Sequence, residues 1–486
     1  MKAIGLIGLL FIGTLAFGCN DESSQNQGGS GGSGGNSTSA TSGGSAGAGV
    51  GGSTSSGETF DIIAALTAIP GMEIESDNDT PAGHFFDLLF EQPADHNNPN
   101  GQTFKQRISL IHRDVNAPMV LGSTGYALWV YEMEPTALLD ANQLIVEHRF
   151  FTPSRPDPAD WTTLRIAQAA ADHHRIVEAL KPIYGAKWIS TGASKGGMTS
   201  VYHRRFYPND VDGTVAYVAP QSYGDADPRY VDFLNSVGDA ACRSALQDLQ
   251  VEILKRRPAM IALAEAQAGA NTYNALGLDG AFDFAVMSLP FAFWQYQKSS
   301  LCASVPPVTG TDSQLWDFLD KVSAVDFYND ELFYFFEPYY YQAGVELGYP
   351  GSDYSHLDGL LTLPLDADRA KTFVEPGPTK DIVLNPDAMI DIANWLAAEG
   401  TKTMFIYGEY DPYSAAAFEL GNAADSYRFF VPGGNHGSEI SDLLPADQQV
   451  AMNALGSWAG QMPKSVPPER LADDRNARSR RFFPHR

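Results

Sequence analysis

The sequence predicts an α/β fold: a mostly parallel central sheet with helices on both faces, and a large, mainly helical cap inserted late in the sheet. Three observations carry this reading. Short apolar runs alternate with helical patterns between residues 84 and 220. One of these runs ends in Gly192-Ala-Ser194-Lys-Gly196, a tight small-residue turn between a strand and a helix. A long aromatic stretch, 225–394, then separates the strand 213–220 from the sequence that resumes the pattern, far more than one crossover needs.

Taken in order, residues 84–90 and 104–112 read as two early strands, followed by 119–123 and 143–146. Asp160 is placed as the N-cap of a helix running through Leu164, Ala167, Ala171 and Leu180 toward Gly185. Residues 189–194 form the next strand and its turn, and 213–220 the strand after it. The core resumes at about Asn394, with strands at 403–408 and 427–431 and a closing helix from Pro445 to Gly456. The intervening stretch holds Phe291, Phe293, Trp294 and Tyr296, then Phe333 to Tyr341. Its tyrosines read first as cap core, second as a platform for substrate.

The turn at Ser194 matches the G-x-S-x-G nucleophile elbow of α/β-hydrolases. Its flanking residues must be small so that the serine hydroxyl stands clear of a strained turn, with helix N–H groups aimed at the reacting oxygen. In that fold the acid and then the histidine follow the serine. Four histidines lie beyond Ser194. His203 is two turns along the same helix, His485 is in a charged tail, and His356 lacks a preceding strand. His436 ends a strand in a glycine-rich loop and is the base. Asp411, just past the run 403–408 and before Pro412, is the acid; Glu409 shares its side of the strand and competes on spacing alone. Ser194 would attack a carbonyl, His436 would move its proton, and Asp411 would orient the imidazole.

Several blocks in this order resemble the S37 family of serine peptidases, the secreted tripeptidyl aminopeptidases of PS-10 type: Glu147-His-Arg-Phe-Phe151, Gln168-Ala-Ala170 with Asp172-His173, Gly192 to Thr199, Gly408 to Ser414, and Gly434-Asn-His436-Gly437. The chain is similar, more distantly, to the prolyl carboxypeptidase and dipeptidyl-peptidase II group. The resemblance spans most of residues 60–460. It implies the same Ser194, Asp411 and His436, and release of short peptides, typically tripeptides, from a free N-terminus. The elbow alone leaves open an esterase or lipase-like hydrolase with the same triad, or a binding lipoprotein that no longer catalyses.

The oxyanion hole needs two donors. The Lys195 backbone N–H is one. The loop after strand 119–123 supplies the other, with Gly125 permitting close approach and the Tyr126 N–H as candidate; an ordinary glycine turn is the competing reading. The Lys195 side chain is expected to be solvated or salt-bridged. A pocket acid should meet the substrate ammonium, and Glu132, Glu134, Glu337 and Asp353 are candidates, each also readable as plain surface charge. Glu147, His148 and Arg149 end a strand beside the elbow and read as a buried ion pair holding the nearby loop, or else as substrate contacts.

A formal charge of −26, from 32 basic and 58 acidic residues, excludes a nucleic-acid surface and charge-driven attachment to anionic lipid. No cofactor motif or metal-spaced ligand set is present; His173 and His174 are adjacent and diverge on a helix. Residues 1–18 read as a signal peptide, ending in a small residue before Cys19, which is the expected site of lipidation in a bacterial envelope lipoprotein or, failing that, an ordinary secreted protein. Residues 19–58 form a Gly/Ser-rich tether. An oxidising compartment then leaves Cys242 and Cys302 to pair, closing a loop of about 60 residues. The expected organisation is a core of 59–224 plus 395–462, a cap of 225–394 and a basic tail of 463–486. The partners are a peptide with a free N-terminus and, through the lipid alone, a membrane.

Overall fold

A computed structural model describes residues 60–465. The signal, tether and Cys19 expectations, and nearly all of the tail, lie outside the described residues. Nine strands form one sheet: β1 (Met72–Thr80), β2 (Gly83–Pro93), β3 (Thr103–His112), β4 (Met119–Ser123), β5 (Asn142–Val146), β6 (Trp188–Ala193), β7 (Gly213–Tyr217), β8 (Thr403–Gly408) and β9 (Tyr427–Val431). Their order is β1-β2-β3-β5-β4-β6-β7-β8-β9. The first three strands and β5 pair antiparallel; every pair from β5 through β4 to β9 is parallel. This is the α/β-hydrolase architecture expected from the alternating runs.

Strand period decides which side chain meets which layer. Val120, Ile189, Val215, Met404 and Ile406 face the closing helix Pro445–Ala459 through Ala451, Leu455 and Trp458. Their neighbours in sequence turn to the opposite face. There Ala216, Phe405 and Tyr407 pack with Met198, Val201 and Tyr202 of the helix Lys195–Phe206 and with Met389, Ile392 and Leu396 of the helix Asp387–Glu399. Central strands buried on both faces read as continuous apolar runs, which is why β4, β5, β7 and β8 were legible.

Four local differences from the sequence reading have physical causes. Strand β1, Met72–Thr80, went unread because it is polar and mostly exposed at the sheet edge. Asp160 does cap, but it caps a short 3-10 turn, Trp161–Thr163; the long helix starts at Ile166. The short helix Glu134–Leu139 also went unread, with proline near its start and only six residues of pattern. Core packing resumes with Asp387–Glu399, so Asn394 falls inside that helix rather than at its beginning.

Between β7 and that helix the chain is largely helical: Arg229–Leu234, Ala240–Lys255, Arg257–Gln267, Leu278–Tyr296, Asp312–Val322 and Asp330–Gln342. These helices build a separate apolar core around Leu246, Phe282, Phe293 and Leu319. A disulfide joins Cys242 on the second helix to Cys302 in the turn Ser299–Ser304, 60 residues apart in sequence.

Candidate active site

Ser194 sits at the junction of β6 and the helix Lys195–Phe206, with φ of +55° and ψ of −126°. A non-glycine residue in that region is strained, and its neighbours must hold it there. Its N–H donates to Tyr217 O at 2.8 Å, tying the elbow to β7. A Cβ on Gly196 would strike the Ser123 carbonyl of β4, so the residue after Lys195 must lack one.

Asp411 follows β8 and caps the turn Pro412–Ala416. Its side chain is fully buried. Oδ1 accepts the Tyr413 N–H at 3.1 Å, and Oδ2 pairs with His436 Nδ1 at 2.7 Å. Glu409, its competitor on spacing, points elsewhere: its carboxylate accepts the Gly433 N–H at 2.6 Å. His436 follows β9. Its backbone N–H donates to Gln295 O at 2.9 Å, at the end of the helix Leu278–Tyr296, and its ring lies 5.0 Å from that of Tyr413. The histidine loop thus hangs from both the sheet and the helical segment.

Ser194 and His436 open into one cavity of ≈ 990 Å³, which Tyr126 also lines. The helical segment contributes the opposite wall, including Phe291, Tyr339, Tyr340, Tyr354 and Asp368. A cleft of that size with aromatic walls suits a ligand of several residues. The tyrosine cluster divides between roles. Tyr339 and Tyr340 line the cavity, while Tyr341 is buried against Trp161.

The loop after β4 differs from expectation in one respect. The Tyr126 N–H, expected at the oxyanion hole, donates to Thr124 Oγ1 at 3.1 Å, a short-range turn bond that occupies it. Its side chain takes over the contact: the Tyr126 hydroxyl hydrogen-bonds with Ser194, and burial raises the phenol well above its ordinary range. Gly125 has φ of +75°, and a Cβ there would lie 2.6 Å from Lys195 C. Only glycine lets this loop rest on the start of the helix.

The Lys195 side chain also departs from expectation. It is neither solvated nor salt-bridged: its side chain is buried under that loop, and Nζ donates to Gly125 O at 2.7 Å. Burial drives its ammonium well below the usual lysine range.

Glu147 and His148 clamp the same loop. Glu147 accepts the Leu128 N–H at 2.8 Å and the Ser154 hydroxyl at 2.6 Å; the His148 N–H donates to Tyr126 O at 2.9 Å. Arg149 is fully buried and grips Asp172 through Nε and Nη2, at 2.7 and 2.8 Å, with His96 on the same carboxylate at 2.7 Å. Burial pushes Asp172 up, but Arg149 and His96 outweigh it and hold the carboxyl below its usual range. The ion pair is therefore Arg149 with a helix residue far along the chain, a partner that spacing could not reveal.

Of the four acids proposed for the substrate amine, only Asp353 lines the cavity. Glu132 pairs with Arg113 at 2.6 Å and Glu337 with Lys380 at 2.7 Å. Glu134 is buried and accepts from the Tyr217 hydroxyl, Ile440 N–H and Ser441 N–H at 2.8–2.9 Å; burial first, then Glu439, raises it to about 7. Among the described residues no group of three or more His, Cys, Asp or Glu is placed to hold a metal ion.

Residues 55–479 match the model of the PS-10 peptidase S37 family. The prolyl tri/tetrapeptidyl aminopeptidase of Streptomyces mobaraensis is 42% identical over 417 residues, covering 84% of this chain and 86% of that one. Among solved structures, a proline iminopeptidase from Mycobacterium smegmatis is 12% identical, covering 76% of this chain and 98% of its own, with a TM-score of 0.35. A homoserine O-acetyltransferase from Staphylococcus aureus is also 12% identical, covering 78% and 94%, with a TM-score of 0.36. Family membership rests on the first two.

Proposed function

The chain belongs to the PS-10 peptidase S37 family and is a peptidase; from that premise we propose that it is a serine exopeptidase releasing tripeptides and similar short peptides from free N-termini. The observation that carries the reading is the 2.7 Å pair between His436 and Asp411, with His436 and Ser194 both lining one cavity. The name of the Streptomyces relative, which shares most of the length, supports the short-peptide product.

In this mechanism Asp411 holds the proton on His436 Nδ1, leaving Nε2 as the base. As Ser194 Oγ attacks the carbonyl, its proton passes to Nε2. The carbonyl oxygen gains charge and is met by the Lys195 N–H, one of the first-turn donors with no partner inside the helix. The Tyr126 hydroxyl, not its N–H, is the second donor. The C–N bond then breaks, Nε2 protonates the leaving amine, and water hydrolyses the acyl-enzyme with the same base. The helical segment acts as a lid: its wall closes the cavity beyond a few residues and restricts the enzyme to chain ends.

We also read the chain as exported and lipid-anchored through Cys19. The signal-like start, the Gly/Ser tether and a disulfide suited to an oxidising compartment support this. Incorporation of an alkynyl fatty acid that disappears in Cys19→Ala tests the anchor.

The peptidase reading is tested by a tripeptide anilide with a free amine against its N-acetyl twin, and by a fluorophosphonate probe. The expected results are preference for the free amine and labelling that Ser194→Ala abolishes. Equal rates on the two substrates refute the N-terminal specificity; labelling that survives the substitution refutes the nucleophile.

A further inference from the structure

The far wall of the cavity carries a carboxylate that the mechanism above leaves unused. Asp368 accepts the Tyr354 hydroxyl at 2.6 Å, the Ser352 hydroxyl at 3.2 Å and the Tyr349 hydroxyl at 3.4 Å. Three neutral hydroxyls orient it, and no cation pairs with it among the described residues. Arg369, next in sequence, turns its guanidinium to the Asp368 carbonyl instead. Arg369 acts on this half-buried carboxylate only through space, and no cation lies within ion-pair distance of it among the described residues, so it gains from a cation that reaches it. Desolvation accordingly raises its carboxyl above the ordinary range.

The other acids on the cavity wall are differently placed. Asp353 is exposed and caps a turn through the Ser355 N–H at 2.9 Å. Asp320 accepts from Gln267 Nε2 at 2.7 Å. Asp368 alone sits behind aromatic walls.

Its separation from the nucleophile has the right scale. Tyr126, in contact with Ser194, lies 5.7 Å from the Tyr339 ring. Tyr339 is 5.1 Å from Tyr340, and Tyr340 is 6.2 Å from Tyr349, whose hydroxyl meets Asp368. Three ring-to-ring steps bound the span. An extended peptide covers roughly 3.3 Å per residue, so this upper limit on the span is that of a short peptide.

We propose that Asp368 is the specificity-determining residue that binds the α-ammonium of the peptide substrate, a few residues before the bond that Ser194 cleaves. This rests on the aminopeptidase reading above. The tyrosine-lined wall would carry the intervening residues, and the carboxylate would set their number.

The test uses the full-length chain and the tripeptide anilide with its N-acetyl twin. In Asp368→Asn the oxygen acceptor stays and the charge goes. Loss of one charged hydrogen bond should lower kcat/KM on the free amine by about 10- to 150-fold. The rate on the acetylated twin should move by less than about threefold, as should fluorophosphonate labelling of Ser194. A variant that keeps the wild-type preference for the free amine overturns the proposal. If Asp368→Asn fails to label, Asp368→Glu decides: it retains the charge and should retain the preference with a raised KM, and its loss overturns the proposal too. Absence of the preference in the wild-type enzyme is a separate result, which refutes the aminopeptidase reading itself.

Discussion

Replacing Asp411 with Asn tests the triad more sharply than removing the serine, because the structure dictates how the amide must lie. Asp411 has two neighbours that matter. Oδ1 takes the Tyr413 N–H at 3.1 Å, a donor that cannot turn around. The amide oxygen of Asn must therefore sit at Oδ1, which leaves the NH2 group facing His436 Nδ1. Nδ1 can then only accept, so the imidazole proton moves to Nε2, where the base must be empty. The Coulombic support for the imidazolium disappears in the same step. The expected loss is about 10⁴-fold in kcat with KM little changed, as the same exchange produces in a Ser-His-Asp hydrolase. Steady-state rates on the free-amine anilide measure this, with fluorophosphonate labelling slowed in parallel. Glu409→Gln is the control: its carboxylate accepts the Gly433 N–H, away from His436, and kcat should stay within about threefold. A loss below tenfold in Asp411→Asn, or an equal loss in Glu409→Gln, would refute the assignment.

Gly125→Ala should lower kcat/KM by about 100-fold, because the new Cβ overlaps Lys195 C and Gly196 N at 2.6 and 2.7 Å and displaces the oxyanion donors; probe labelling must slow with it. Cys242→Ser with Cys302→Ser should destabilise the chain by about 4 kcal/mol, the unfolded-loop entropy of a 60-residue closure; denaturant titration, with and without reductant on the wild type, checks it. Glu134 binds its proton more tightly folded than unfolded, since its folded value is about 7 against an ordinary 4.5. Its contribution is therefore full below pH 4.5 and is lost as pH rises to about 7. Glu134→Gln should remove that downward slope, on the order of 3 kcal/mol, from the stability profile read by thermal melts.

The parts of this molecule that were legible are those where local chemistry forces a residue type. The elbow announces itself because a strained serine needs small neighbours, and the central strands because burial on both faces leaves them apolar. Asp411 could be separated from Glu409 only by the turn after β8, which Pro412 marks; alternation treats the two alike. What stayed hidden depends on long-range contact. The Tyr126 N–H looked available until Thr124 Oγ1 occupied it. Lys195 looked like a surface residue until the β4 loop covered it. Asp368 shows no motif at all, since its meaning comes from three hydroxyls that fold around it and from the cavity it faces. Strand β1 is silent in the sequence for the converse reason, as an exposed edge strand carries no apolar signature.

The bond from His436 N–H to Gln295 O makes the proposed base a shared possession of two halves of the molecule. An outward rotation of the helix Leu278–Tyr296 would tug on residue 436 before it widened the entrance. Loading a peptide by such a hinge would dismantle the proton relay for as long as the gate stood open. The open form would be chemically silent, and folded bystander proteins too bulky to let the gate shut would be spared without any inhibitor.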